Sequence, residues 1–203
     1  MAEKTLNDQV TMLETEFITK NANEALARAR AGDFVEMGCY KGETSVLLGR
    51  ICRNKCKLYL YDSFAGLPEK SGADLSVAGE NFKKGELLAS KTELVRKFKS
   101  ASLPLPVIKK GFFDELSPED LPSKIAFAFL DGDLYESIKD SLKLVVPKMV
   151  DGGTILVHDY INTALPGAAK AVDEYLANIK KHSEISVKSV VFQSIIKLTI
   201  SKH

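Results

Sequence analysis

Four short strings hold most of the residues in this sequence that could do chemistry. They are Gly38 to Gly42, Asp62-Ser63, Asp131-Gly132-Asp133 and His158-Asp159. Carboxylates and an imidazole gathered in one crevice can hold a hard divalent cation or move a proton. Asp131 and Asp159 suit the first task. His158 suits the second, because an unperturbed imidazole titrates close to neutrality. Glycines at 38 and 42 let the backbone approach a ligand ahead of a helix N-terminus. A tight strand-to-helix turn would need the same glycines, and G-x-x-x-G is not the G-x-G-x-x-G of dinucleotide binders. Asp62 follows Gly38 at about the 20-residue range where an acid accepts hydrogen bonds from ribose hydroxyls, with a capping or turn role as the alternative. Asp133 is expected to cap the helix that begins near Leu134.

These residues meet only if the segments carrying them lie side by side. Phe34–Met37, Leu58–Tyr61, Pro106–Ile108, Ile125–Leu130 and Thr154–Val157 are short apolar runs of strand length. Between them, Thr44–Arg53, Lys91–Ser100 and the stripe Leu134, Ile138, Leu142, Val145 read as helices, the last ended by Pro147. Asp151-Gly152-Gly153 is expected to turn the chain into the fifth strand. Ala168, Val172, Tyr175 and Ile179 mark a further helix, and Ile185–Val190 with Ser194–Ile200 a terminal hairpin. Leu6, Val10, Leu13 and Phe17 predict one or two amphipathic helices at the start, closed by Gly32. Alternation of strand and helix means an α/β fold: a doubly wound, Rossmann-like, mostly parallel sheet with a C-terminal antiparallel hairpin. In such sheets ligands bind beyond the carboxyl ends of the strands, and all four strings stand at such ends. The long irregular stretch Ser63–Ser90 is of the kind that is usually functional.

Composition excludes other classes. The chain has 203 residues, with 28 Lys+Arg against 27 Asp+Glu and a formal charge of +1. That balance lacks the basic footprint of a nucleic-acid binder. No apolar stretch nears the roughly 20 residues of a membrane helix, and no basic-then-apolar leader is visible. Cys39, Cys52 and Cys56 read as reduced thiols rather than a disulfide framework, which points to the cytoplasm.

Taken in order, several strings resemble the macrocin O-methyltransferase family. They are Asp33-Phe34-Val35-Glu36-Met37-Gly38-Cys39-Tyr40-Lys41-Gly42, Tyr61-Asp62-Ser63-Phe64-Ala65-Gly66-Leu67-Pro68 and Gly111-Phe112-Phe113-Asp114-Glu115-Leu116, then Leu130-Asp131-Gly132-Asp133-Leu134-Tyr135-Glu136-Ser137, His158-Asp159-Tyr160, Pro166-Gly167 and Ala171-Val172-Asp173-Glu174. The resemblance implies a class I S-adenosylmethionine-dependent methyltransferase with a seven-stranded sheet. It implies that Glu36, Gly38, Tyr40, Gly42 and Ser45 surround the methionine part of the cofactor, and that Asp62, with Ser63 and Phe64, holds the ribose. Phe112, Phe113 and Asp131 would flank the cofactor, and Asp131, His158 and Asp159 would take the family's magnesium positions.

The resemblance further implies methyl transfer to a hydroxyl of a small molecule, of sugar or natural-product type. Asp131 on a metal, or His158 as base, would activate that hydroxyl. Residues 1–32 would form a helical lid on a cofactor-binding domain of residues 33–203, with the acceptor site open or completed by a second copy in a homo-oligomer. This sequence departs from the family pattern in carrying His158 where a carboxylate is expected, in the brevity of the region before the first strand, and in having no Trp. The rival readings are a nicotinamide-dependent oxidoreductase on the same sheet and a non-catalytic cofactor-binding module.

Overall fold

The computed structural model describes residues 9–28, 32–79, 82–182 and 185–202. Helix α1 (Met12–Arg28) precedes β1 (Asp33–Met37), α2 (Glu43–Cys52) and β2 (Leu58–Asp62). Then follow α3 (Lys91–Ser100), β3 (Val107–Lys110), β4 (Ile125–Leu130) and α4 (Tyr135–Val145). The chain ends with β5 (Met149–Val157), α5 (Pro166–His182), β6 (Ile185–Phe192) and β7 (Ile195–Lys202). Leu6 of the N-terminal stripe lies outside the described residues.

The seven strands form one sheet in the order β3-β2-β1-β4-β5-β7-β6. β1 to β5 pair in parallel, and β7 enters antiparallel between β5 and β6. Strand order reverses between β1 and β4, so the crevice for a ligand opens at their carboxyl ends. All six residues of β4 are buried, as a strand covered on both faces requires. Alternation along the strands sorts the core into two layers. Val35, Met37 and Leu130 pack with Ile138, Leu142, Ala168 and Val172 beneath α4 and α5. Phe34, Phe127 and Phe129 pack with Ile18, Ala22, Leu48 and Phe98 beneath α1, α2 and α3.

The fifth strand begins earlier than its apolar run suggests. Asp151-Gly152-Gly153 lies inside β5, where Gly152 takes φ 73° and the pairing register with β4 shifts. A glycine in the left-handed region produces a bulge here rather than a turn.

Gly38 sets the spacing of the crevice. Its N–H donates to Tyr61 O at 2.9 Å, and the Asp131 N–H donates to Met37 O at 2.8 Å, which draws the ends of β2, β1 and β4 together. At φ 93°, a Cβ on residue 38 would stand 2.0 Å from Asp131 O. Backbone cannot yield to that overlap. Gly38→Ala is therefore expected to cost about 3 kcal/mol or more. Gly152→Ala, whose methyl would meet open space, should cost only roughly 1 kcal/mol of left-handed strain. Urea unfolding of the two variants checks the difference.

Candidate active site

A cavity of about 220 Å³ opens at the carboxyl ends of β1, β2, β4 and β5. Gly38, Tyr40, Asp62 and Ser63 line one side, with Phe112 and Phe113 beyond β3. Asp131, Gly132, Asp133, His158 and Asp159 line the other. Gly66, Leu67, Pro68, Phe82 and Leu87 of the irregular segment, with Leu165 ahead of α5, give it an apolar wall. Glu36, Gly42, Ser45 and Phe64, expected to touch a cofactor, are not on the wall.

Asp62 organises the first side. Its Oδ2 accepts from the N–H groups of Cys39 at 2.8 Å and Tyr40 at 3.0 Å, and its Oδ1 from Phe64 N–H at 2.7 Å. The carboxylate thus pins the turn between β1 and α2, where Tyr40 holds φ 43°. A carboxylate has about four acceptor positions, so one remains for a ligand hydroxyl. Glu36 lies behind this turn at 1% exposure. Its Oε2 and the neighbouring Ser45 Oγ have no hydrogen-bond partner. Burial pushes the Glu36 carboxyl well above the ordinary carboxylate range, and the charges of Asp131 and Asp62 add to that.

Asp133 does not cap α4. It sits at φ 60°, in a bend where Leu134 N–H donates to Gly132 O at 2.6 Å, and its side chain faces the cavity. Burial, then Asp131 and Asp159, push its carboxyl well above the usual range, with His158 pulling the other way. The cap comes instead from Asp74 in the irregular segment, whose Oδ1 accepts from Tyr135 N–H at 2.6 Å. Its Oδ2 accepts from Ser71 N–H at 2.9 Å and Ser71 Oγ at 2.6 Å. Asp74 reaches this place because residue 167 is glycine: a Cβ there would lie 1.9 Å from Asp74 Oδ1. Ser76 Oγ also donates to Thr163 O at 2.6 Å, so the segment is docked on the starts of both α4 and α5.

The second side centres on His158, which is 5% exposed. Its Nδ1 lies 2.9 Å from Asp131 Oδ1 and 3.2 Å from Asp159 Oδ2, and its Nε2 lies 3.9 Å from Glu14 Oε2. Burial alone would lower the imidazole pKa. The charge of Asp131 and the contacts with Asp131, Asp159 and Glu14 outweigh it and raise the pKa well above the usual value. Glu14 shifts the other way: burial opposes its charge, but His158, Ser194 and Thr11 hold its carboxyl well below the usual range. Thr11 N–H and Oγ each donate to its Oε2 at 2.9 Å, and Ser194 N–H and Oγ donate to its Oε1. Asn162 Nδ2 donates to Asp159 Oδ1 at 2.8 Å.

Residue type and strand-end position thus bring together Gly38, Tyr40, Asp62, Ser63, Phe112, Phe113, Asp131, His158 and Asp159. Glu14 and Asp74 escaped that reasoning. The signal for Glu14 was an acid one turn after Val10 and one turn before Ile18, inside the apolar stripe of α1.

The macrocin-O-methyltransferase (TylF) family model matches residues 11–193. The chain belongs to that family. The Streptomyces olivaceus 8-demethyl-8-(2,3-dimethoxy-alpha-L-rhamnosyl)-tetracenomycin-C 4'-O-methyltransferase is 31% identical to it over 160 residues, 74% of this chain and 60% of the relative. The Streptomyces niveus demethyldecarbamoylnovobiocin O-methyltransferase is 32% identical over 165 residues, 76% of this chain and 62% of the relative. The chain thus spans about three fifths of the length of these curated relatives. The solved O-methyltransferase NovP superposes with a TM-score of 0.81 at 25% identity, covering 95% of this chain and 81% of that one. A calicheamicin methyltransferase shares the fold with a TM-score of 0.71 at 18% identity, over 92% of this chain and 77% of the other.

In this family member the docked segment depends on one buried acid. Asp74→Ala should cost about 2–3 kcal/mol, from a lost cap and lost acceptors, and should speed proteolysis within residues 63–90. Denaturant melts with limited proteolysis check both, and an unchanged cleavage rate would show that Asp74 does not hold the segment.

Proposed function

We propose that this chain transfers the methyl group of S-adenosylmethionine to a hydroxyl of a small acceptor, of sugar or natural-product type, releasing S-adenosylhomocysteine. The observation that carries the reading is the pairing, in one cavity of a macrocin O-methyltransferase family member, of an Asp62 carboxylate with one free acceptor position and an unpartnered Asp133 carboxyl across from it. The family, the names of the relatives and the apolar wall of the cavity all support it. The three free cysteines fit a reducing compartment such as the cytoplasm. Among the described residues no helix is long and apolar enough to cross a membrane.

The sulfonium methyl is already activated, so the protein's work is alignment and proton removal. Asp62 takes a ribose hydroxyl, and the Gly38–Tyr40 backbone approaches the remainder of the cofactor. As the acceptor oxygen bonds to the methyl carbon, the carbon–sulfur bond breaks and its electron pair stays on sulfur. The acceptor's proton passes to a base. We assign that proton to Asp133 rather than to His158, because the His158 ring already donates towards two carboxylates. A carboxylate whose pKa is raised is a stronger base than an ordinary one. The base works when deprotonated, so kcat/KM should rise as pH climbs through the raised Asp133 pKa and level off above it.

Two variants separate binding from chemistry. Asp62→Asn is expected to weaken S-adenosylhomocysteine binding about tenfold or more, read by calorimetry. Asp133→Asn should bind it as the unaltered chain does and lose about 100-fold in turnover. A chain that does not bind S-adenosylhomocysteine, or an Asp133→Asn variant with full turnover, would overturn the respective assignment.

A further inference from the structure

The β4–β5 end of the cavity holds three acids around one ring. Asp131 Oδ1 and Asp159 Oδ2 both face the same nitrogen, His158 Nδ1, at 2.9 and 3.2 Å. Ionised carboxylates accept hydrogen bonds and cannot donate them, so that nitrogen carries a hydrogen directed between the two. A ring nitrogen that donates has no lone pair left for a metal. The ligand atoms of these three residues lie within 4.8 Å of one another, close enough for a metal ligand set. Their chemistry does not fit magnesium, which takes hard oxygens in near-octahedral order. One of the three donors is a nitrogen, and its lone pair is already spent.

The surroundings of the ring hold it in this place. Its other nitrogen, Nε2, is buried without a hydrogen-bond partner and faces Glu14 from α1. Glu14 is not free to swing towards an incoming ion, because Thr11 and Ser194 hold both of its oxygens. The outer oxygen of Asp159 is held by Asn162. Two of the three acids are therefore oriented by neutral donors, with the imidazole between them.

We propose that His158 takes the place of a divalent cation at this site, with its Nδ1–H between Asp131 and Asp159 and with Glu14 as the positioning residue behind it. The site then binds no divalent metal, and its turnover does not depend on one. The turnover half of the inference rests on the methyltransferase reading above; the cation half stands without it.

Mn2+ titrations followed by electron paramagnetic resonance decide the cation half. The unaltered chain is expected to show no saturable binding below about 1 mM, the weak limit for protein sites of hard cations. His158→Asp completes a set of three carboxylates and is expected to bind Mn2+ at least about tenfold more tightly. Saturable sub-millimolar binding to the unaltered chain that disappears in Asp159→Asn would overturn the proposal, as would a folded His158→Asp that binds no better. Should His158→Asp fail to fold, the unaltered chain and Asp159→Asn still decide. Turnover in a chelator should equal turnover in Mg2+, and a loss restored by Mg2+ would count against the proposal. Calorimetry with S-adenosylhomocysteine on the same sample separates the two readings: absent binding there removes the methyltransferase assignment while the Mn2+ result still judges the site.

Discussion

A buried imidazole between carboxylates is the interaction on which the site depends. His158 at the end of β5 meets Asp131 from β4, its own neighbour Asp159, and Glu14 from α1. Three acids this close would repel one another, and burying them unpaired would cost several kcal/mol each. One ring removes that penalty and at the same time draws three elements to a point. Through Glu14 it reaches Ser194 in the β6–β7 turn, so the terminal hairpin and the first helix are fixed to the same centre. The N-terminal helix is thus part of the site's foundation.

The opposite side of the cavity is built from main chain. Asp62 accepts three backbone N–H groups, and Gly38 gives up its side chain so that β1 can approach the Asp131 carbonyl. One side is shaped by charge and the other by the space that glycine leaves. The same device recurs where Gly167 makes room for Asp74, which ties the irregular segment to α4 and α5.

Strands and helices were legible because β4 and its neighbours are short, apolar and bounded by polar ends, and because sheets of this kind gather function at one edge. That rule alone brought Asp62, Asp131, His158 and Asp159 together. What stayed hidden depends on contacts between residues far apart in sequence. Asp133 stands where a helix cap should be, yet a left-handed bend turns it into the cavity, and the cap arrives from Asp74 on a distant loop. Glu14 reads as a polar interruption of an amphipathic stripe until α1 is laid over the end of β5. The beginning of β5 was obscured because a bulge glycine and a turn glycine look the same in one dimension. The family resemblance names Asp131, His158 and Asp159 as one set, and the fold brings their ligand atoms within 4.8 Å of one another.

The most direct test of the account is a crystal structure of the chain grown with S-adenosylhomocysteine and Mg2+. The account predicts the ligand in the described cavity, with a ribose hydroxyl on the free acceptor position of Asp62, its sulfur towards Asp133, and His158 Nδ1 still seated between Asp131 and Asp159. A cavity left empty at saturating ligand, or a Mg2+ ion coordinated by Asp131, His158 and Asp159, would contradict it.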